Sequence, residues 1–187
     1  MLGILHILEG IDHLLFVACL LLIAGTGRRI LITITGFTIA HSITLLLSAL
    51  DVVHVPVPPV EASIALSIVF LATEIAKESR DTLTYRYLIT VATLFGLLHG
   101  FGFAAVLKSI GLPQVEILTG LLFFNVGVEI GQILFVGFIM TIFFGVQAIG
   151  NRLLQSTISL AKFEKPIVYV IGSIASLWMF ERIYLFF

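Results

Sequence analysis

Long apolar runs constrain this sequence more than any other feature. Of its 187 residues, 59% are hydrophobic and only 11% are charged, whereas about a quarter of the residues in a soluble domain are charged. A run of about 20 apolar residues can cross the hydrocarbon core of a bilayer as a helix. The sequence therefore predicts an all-α, polytopic membrane helix bundle that forms a single domain over residues 1–187.

Six apolar runs are separated by glycine, proline or charged residues. Each run is long enough for one transmembrane helix, and the fifth exceeds the length that a bilayer requires, which indicates a tilted or bent helix. An interfacial segment is expected over residues 150–163. The predicted spans are residues 3–24, 30–50, 60–76, 86–107, 115–145 and the stretch from Pro166 to near the C-terminus.

Lysine and arginine set the expected orientation, because cytoplasmic loops are enriched in them. Eight of the ten basic residues fall between spans one and two, three and four, and five and six. Both termini are therefore predicted to be non-cytoplasmic, which suits a chain whose signal peptide or extracytoplasmic domain has been removed upstream. We expect an integral protein of a bacterial inner membrane.

Charge and composition also bound the expected partners. The net charge of −1 gives no basic patch of the kind that binds nucleic acid. The expected partners are membrane lipid and a metal ion, with a homo-oligomer left open.

Ionisable side chains inside the apolar runs predict a functional site, because a charge within a bilayer is costly. Histidines occur in spans one, two and four, and acidic residues occur in spans one and five. Imidazole and carboxylate groups together suit a divalent transition-metal ion such as Ni²⁺ or Co²⁺, and Zn²⁺ is also compatible. The predicted metal ligands are His6, Asp12, His13, His41, His99 and Glu129.

The first span sets the expected depth of this site. In a continuous helix His6, Glu9 and His13 share one face, and Asp12 lies about a quarter-turn away. His13 is then about 10 Å deeper than His6, near the bilayer midplane. Ionisable groups of the other spans lie at the midplane or on its non-cytoplasmic side, which is typical of a transporter site loaded from outside.

Other polar residues are expected to surround the site or to line its entrance. Asn125, Glu129 and Gln132 form one stripe on span five, and two GxxxG pairs, at residues 96–100 and 127–131, predict close helix packing that brings His99 toward Glu129. The predicted surrounding or entry residues are Glu9, Ser42, Glu61, Asn125 and Gln132.

The motifs that contain these residues resemble those of the HupE/UreJ family of nickel and cobalt permeases. His6 to His13 has the form HX5DH, which resembles that family's signature. The resemblance covers roughly residues 1–135 and is to the second, HupE/UreJ-like branch, since the fourth span has the single His99 where the better-known branch has a doubled-histidine FHGxAHG motif. The other resembling segments are Phe37–Leu45, Glu61–Ser67, His99–Ala104 and Phe124–Gln132.

The resemblance implies secondary transport of Ni²⁺ or Co²⁺, which in that family supplies hydrogenase or urease. The residues themselves leave two alternatives open. One is an intramembrane zinc-dependent hydrolase acting on a lipid or amide substrate, in which Ser42 or Ser67 assists a metal-bound water. The other is an assembly subunit whose polar cluster only fixes helix packing.

Overall fold

The computed structural model describes residues 1–77, 79–110, 117–153 and 161–186, and every regular element in these ranges is helical, as predicted. Residues 154–160 of the predicted interfacial segment, and the start of the predicted fifth span, lie outside the described ranges. The helices are α1 Leu2–Glu9, α2 Ile11–Ala24, α3 Gly27–Ala49, α4 Val57–Ala76, α5 Leu83–Arg86, α6 Leu88–Ile110, α7 Ile117–Leu153 and α8 Ala161–Tyr184.

Four of the described helices, α3, α4, α7 and α8, are long and apolar enough to cross a membrane. Helices α1 and α2 together would make a fifth span, with a bend of 79° between them. Helix α6 contributes a shorter apolar stretch over Leu88–Phe103. Six spans therefore remain a prediction, while a bundle of apolar helices is confirmed.

The first span breaks at Gly10, so the prediction of one continuous helix over residues 3–24 is wrong. Gly10 is extended (φ −79°, ψ 90°), and its N–H donates to the carbonyl of His6 at 3.0 Å. A Cβ added to Gly10 would lie 2.8 Å from the His6 carbonyl oxygen and 2.9 Å from Nδ1 of His13. The break is thus tight enough that only glycine fits without displacing its neighbours.

The other helix ends follow from local residues. Gly25 ends α2 in the left-handed region at φ +69°, and the Thr26 hydroxyl accepts from the Arg29 N–H at the start of α3. Prolines occupy the first turn of α4. Helix α8 begins at Ala161, before the predicted start at Pro166, so Pro166 lies inside the helix, where it removes one backbone hydrogen bond.

Glycines permit the closest helix contacts. A Cβ on Gly96 or Gly100 of α6 would overlap backbone atoms of α3, and a Cβ on Gly3 of α1 would overlap α7. Gly127 and Gly131 face α1 in turn. The predicted role of both glycine pairs in packing is confirmed, but they draw α6 to α3 and α7 to α1, and the two pairs do not face each other.

Charged groups collect at the two ends of the antiparallel helices α4 and α8. At one end, Arg80 pairs with Glu164 at 3.0 Å, and near Arg80, Arg29 of α3 donates to the carbonyl of Tyr85 in α5. At the other end, Arg182 pairs with Glu61 at 3.5 Å. Between these ends lies a buried apolar core that includes Phe16, Leu20, Ile34, Phe37 and Leu71.

Candidate metal centre

Histidines from separate helices meet at one place. His6 of α1, His13 of α2 and His41 of α3 each offer one ring nitrogen, and these three nitrogens lie within 4.8 Å of one another. His99 of α6 joins them, with its ring centroid 5.4 Å from that of His13. These four residues are called the histidine cluster below.

The break at Gly10 is what brings the two histidines of the first span together. Seven residues of continuous helix would separate them by about 10 Å along the axis. The bend instead places the rings of His6 and His13 with their centroids 4.6 Å apart. The expected separation of about 10 Å in depth between these two residues is therefore wrong, and both side chains lie in the histidine cluster.

The Nε2 atoms of all four cluster histidines are buried and have no hydrogen-bond partner within the described ranges. Three of the four residues are also buried: His13, His41 and His99 are 5%, 0% and 1% exposed. Buried polar atoms in proteins nearly always have a partner, because leaving one unpaired is costly. Four such atoms in one cluster make it a candidate ligand-binding site.

In His13, His41 and His99 the other ring nitrogen, Nδ1, is hydrogen-bonded to an oxygen atom. Nδ1 of His13 lies 3.0 Å from Oδ1 of Asp12, and Nδ1 of His99 donates to the Phe95 carbonyl at 2.8 Å. Donation from Nδ1 leaves the lone pair on Nε2, which is the arrangement of metal-bound histidine. Asp12 also accepts the His13 backbone N–H at 2.9 Å, so the structure places it as the group that orients His13.

His41 is oriented in the same way by α7. The side-chain amide of Asn125 donates through Nδ2 to the Leu121 carbonyl at 2.9 Å. Its oxygen therefore faces His41 and accepts from Nδ1 at 3.2 Å. Both residues are buried, and the contact fixes the His41 tautomer with a lone pair on Nε2.

The rest of the polar stripe on α7 contacts threonines of α3. Thr35 donates to Oε1 of Glu129 at 2.6 Å, and Thr38 donates to Oε1 of Gln132 at 3.1 Å. Glu129, predicted as a metal ligand, is thus held at the α3–α7 contact. The described residues whose ligand atoms lie close enough to share one ion are His6, His13 and His41, and this group includes none of Glu129, Asp12 and His99.

Three predicted surrounding residues have different placements. Glu9 is exposed at the end of α1. The Ser42 hydroxyl donates to the Thr38 carbonyl of its own helix at 2.6 Å. Glu61 reaches the site and pairs there with Arg182, a residue that the sequence reading did not select.

A cavity of about 160 Å³ lies beside the histidine cluster. Its lining combines cluster residues with groups from α4 and α8. Sequence reasoning missed the two α8 contributors, Trp178 and Arg182. The sequence did contain one indication of Arg182: it lies near the end of a span, on the side of the membrane that is otherwise expected to be poor in lysine and arginine. The lining residues are His6, Gly10, Asp12, His13, Glu61, Ile64, Ala65, His99, Gly102, Phe103, Trp178 and Arg182.

Aromatic rings enclose the cluster. The His99 ring contacts Phe16 and Phe37, with centroids 4.9 and 5.1 Å apart. The His6 ring contacts Phe103 at 4.0 Å between centroids, and Phe103 stacks on Phe124. These rings separate the imidazoles from the surrounding aliphatic core and limit the ways in which water reaches them.

A family model with the description HupE / UreJ protein matches residues 1–182. The chain belongs to the HupE / UreJ family. The match confirms the resemblance seen in the sequence and extends it from about residue 135 through most of α8. No curated protein and no solved structure matches the chain.

Membership of the HupE / UreJ family, together with the apolar helices, makes this an integral membrane protein. The HupE / UreJ family implies metal-ion transport, and three members of the cluster, His6, His13 and His41, form a group that could hold a metal ion. The site also has a chemical basis for that role, since imidazole nitrogen is a ligand suited to Ni²⁺, Co²⁺ and Zn²⁺.

Proposed function

We propose that this protein is a secondary permease for a divalent transition-metal ion, Ni²⁺ or Co²⁺, and that the histidine cluster holds the ion during transit. The four buried Nε2 atoms without partners carry the proposal. A metal ion could bind one ring nitrogen each of His6, His13 and His41, and His99 lies beside these three. Lipid and aliphatic side chains could satisfy none of these atoms.

The proposed ligands are the four cluster histidines, each through Nε2. Asp12, Asn125 and the Phe95 carbonyl would orient three of the rings, as their contacts with Nδ1 indicate. Such orienting groups typically contribute about 10–100-fold to metal affinity. A ligand set of neutral imidazoles also suits a substrate that must be released, because it lacks the strongly binding thiolates of structural zinc sites.

We further propose six spans in one domain, with both termini outside the cytoplasm of a bacterial cell and the cluster near the bilayer midplane. The grouping of charges supports this arrangement. Arg29 and Arg80 lie at one end of the bundle, whereas Glu61 and Arg182 lie at the other. The first end would face the cytoplasm by the positive-inside rule, and ions would enter from the second.

Ion flux into proteoliposomes tests the proposed function. Vesicles that contain the purified protein and enclose a metal-sensitive dye should take up Ni²⁺ or Co²⁺. His13→Ala and His41→Ala should each abolish this uptake. Ser42→Ala is the matched control, because Ser42 adjoins His41 but bonds only to its own helix. Unchanged uptake in both histidine variants would refute the proposed site.

The same preparation addresses the zinc-hydrolase alternative. Tightly retained zinc and turnover of a lipid or amide substrate, without ion flux, would favour an enzyme. Nothing in the site's geometry singles out hydrolysis: the hydroxyls of Ser42 and Ser67 both donate to carbonyls of their own helices, at 2.6 Å in each case. The permease is therefore the function that the site supports best.

A further inference from the structure

The cavity beside the histidine cluster has charged groups of its own. Glu61 and Arg182 line it on the side formed by α4 and α8, while His6, His13 and His99 line it on the cluster side. Its volume of about 160 Å³ far exceeds the space of one water molecule. An ion can therefore occupy the cavity with part of its water shell before it reaches the imidazoles.

The Glu61–Arg182 pair is suited to exchange partners. Nε of Arg182 lies 3.5 Å from Oε2 of Glu61, and the two side chains are 30% and 38% exposed. Ion pairs that are partly hydrated are weak, because water competes with each partner. The Glu61 carboxylate therefore lies at the cavity and is only weakly paired with the Arg182 guanidinium.

We propose that this pair is the entry gate for the transported ion. An incoming hydrated cation would take the Glu61 carboxylate from Arg182, enter the cavity, and pass to the histidine cluster. The proposal rests on the proposed function and adds a selectivity step to it. Arg182 is then a specificity residue that acts before any imidazole is reached.

Charge explains why such a gate would select divalent ions. The attraction between two ions scales with the product of their charges. A divalent cation can therefore outcompete the single charge of Arg182 for Glu61, whereas Na⁺ or K⁺ gains nothing over the guanidinium. Without Arg182, the carboxylate would be open to both classes of ion.

Association of Co²⁺ with the purified full-length chain tests the gate. Trp178 is the only tryptophan and lines the cavity, so quenching of its fluorescence in a stopped-flow instrument reports arrival of this paramagnetic ion. Rates are compared with and without Na⁺ at constant ionic strength, using a large organic cation as replacement. Equilibrium dialysis gives the Co²⁺ stoichiometry of every variant and shows that the cluster is intact.

Glu61→Gln should slow Co²⁺ association by about tenfold, since charges at an entrance act mainly on association rates. Arg182→Gln should speed association severalfold and make it sensitive to Na⁺, which does not slow association in the unmodified protein. Arg80→Gln is the matched control: it breaks an ion pair at the opposite end of α8 and should change neither property. Arg182→Lys should retain resistance to Na⁺, because it keeps the charge.

Slower association in Arg182→Gln, or Na⁺ resistance that survives it, would overturn the gate while leaving Co²⁺ binding at the cluster intact. Absence of Co²⁺ binding by the unmodified protein would instead overturn the proposed function. The two failures are therefore distinguished by the stoichiometry of the unmodified chain.

Discussion

Individual side chains determine the chemistry of the cluster by fixing which nitrogen of each ring is available. Asn125 shows the principle most clearly. Among the described residues, its side chain is hydrogen-bonded to no cluster ring other than His41, and its amide, held by the Leu121 carbonyl, sets the tautomer of His41. Its contribution to binding is therefore separable from that of the ligands.

Asn125→Leu should weaken Ni²⁺ binding by about 10–100-fold, because His41 loses the acceptor that orients it. Isothermal titration of the detergent-purified protein measures this affinity. Gln132→Leu is the matched control, since it removes a similarly buried amide from the same face of α7 that bonds to Thr38 and to no cluster ring. Equal losses in the two variants would assign both residues to packing alone.

For individual residues, the sequence was most informative inside the predicted membrane spans, where a polar or ionisable side chain is energetically costly. Histidines and an aspartate within apolar runs predicted a shared site, and the structure brings His6, His13, His41 and His99 together. The sequence could not show that Glu129 contacts Thr35, because the partner of a buried carboxylate depends on how the helix is rotated about its axis. Spacing along one helix does not determine that rotation.

Among the elements, the break between α1 and α2 is the feature on which the site depends. It turns α1 so that His6 meets His13. Apolar periodicity could not predict it, because glycine inside a helix costs only about 1 kcal/mol and is often tolerated. The steric requirement at Gly10 becomes visible only once both flanking histidines are in place.

Gly10→Ala should weaken Ni²⁺ binding by at least about tenfold, because the added Cβ meets Nδ1 of His13 and Oδ1 of Asp12 and must displace the groups that orient the ring. Titration of Ni²⁺ measures the change. Gly137→Ala in α7 is the control, since a Cβ there has open space around it. Binding in Gly10→Ala that equals binding in Gly137→Ala would show that the break is not needed for the site.

For the molecule as a whole, the cavity and the aromatic core lie on opposite sides of the cluster. Phe16 follows His13 and Phe37 precedes His41, so both rings lie toward the turn between α2 and α3, and both are almost completely buried. Glu61 and Arg182 lie on the cavity side. Within the described ranges, the cavity reaches the cluster from the side of Glu61 and Arg182, and we expect passage beyond the cluster to require movement of Phe16 and Phe37.

Cysteine labelling tests the proposed orientation of the molecule. Val52→Cys and Leu83→Cys each replace an exposed apolar residue, 65% and 73% exposed, at opposite ends of the bundle. Native Cys19 is buried and provides a low background. A membrane-impermeant maleimide should label Val52→Cys in intact cells and Leu83→Cys only after permeabilisation; the reverse pattern would invert the topology and the direction of loading.

Basic residues predicted this orientation from sequence, but the positions of α4 and α8 could not be predicted in the same way. Helices in a membrane have similar apolar surfaces, so composition does not specify neighbours. Arg182 could therefore be recognised as a cavity residue only from the structure, which shows its contact with Glu61.

X-ray absorption spectroscopy of the Ni²⁺-loaded, detergent-purified protein tests the central claim most directly. The account predicts one bound ion per chain, with an inner coordination sphere dominated by imidazole nitrogen. The imidazole contribution should fall in His41→Ala and persist in Ser42→Ala. A spectrum with oxygen ligands alone, or one that His41→Ala leaves unchanged, would contradict a metal site built from these histidines.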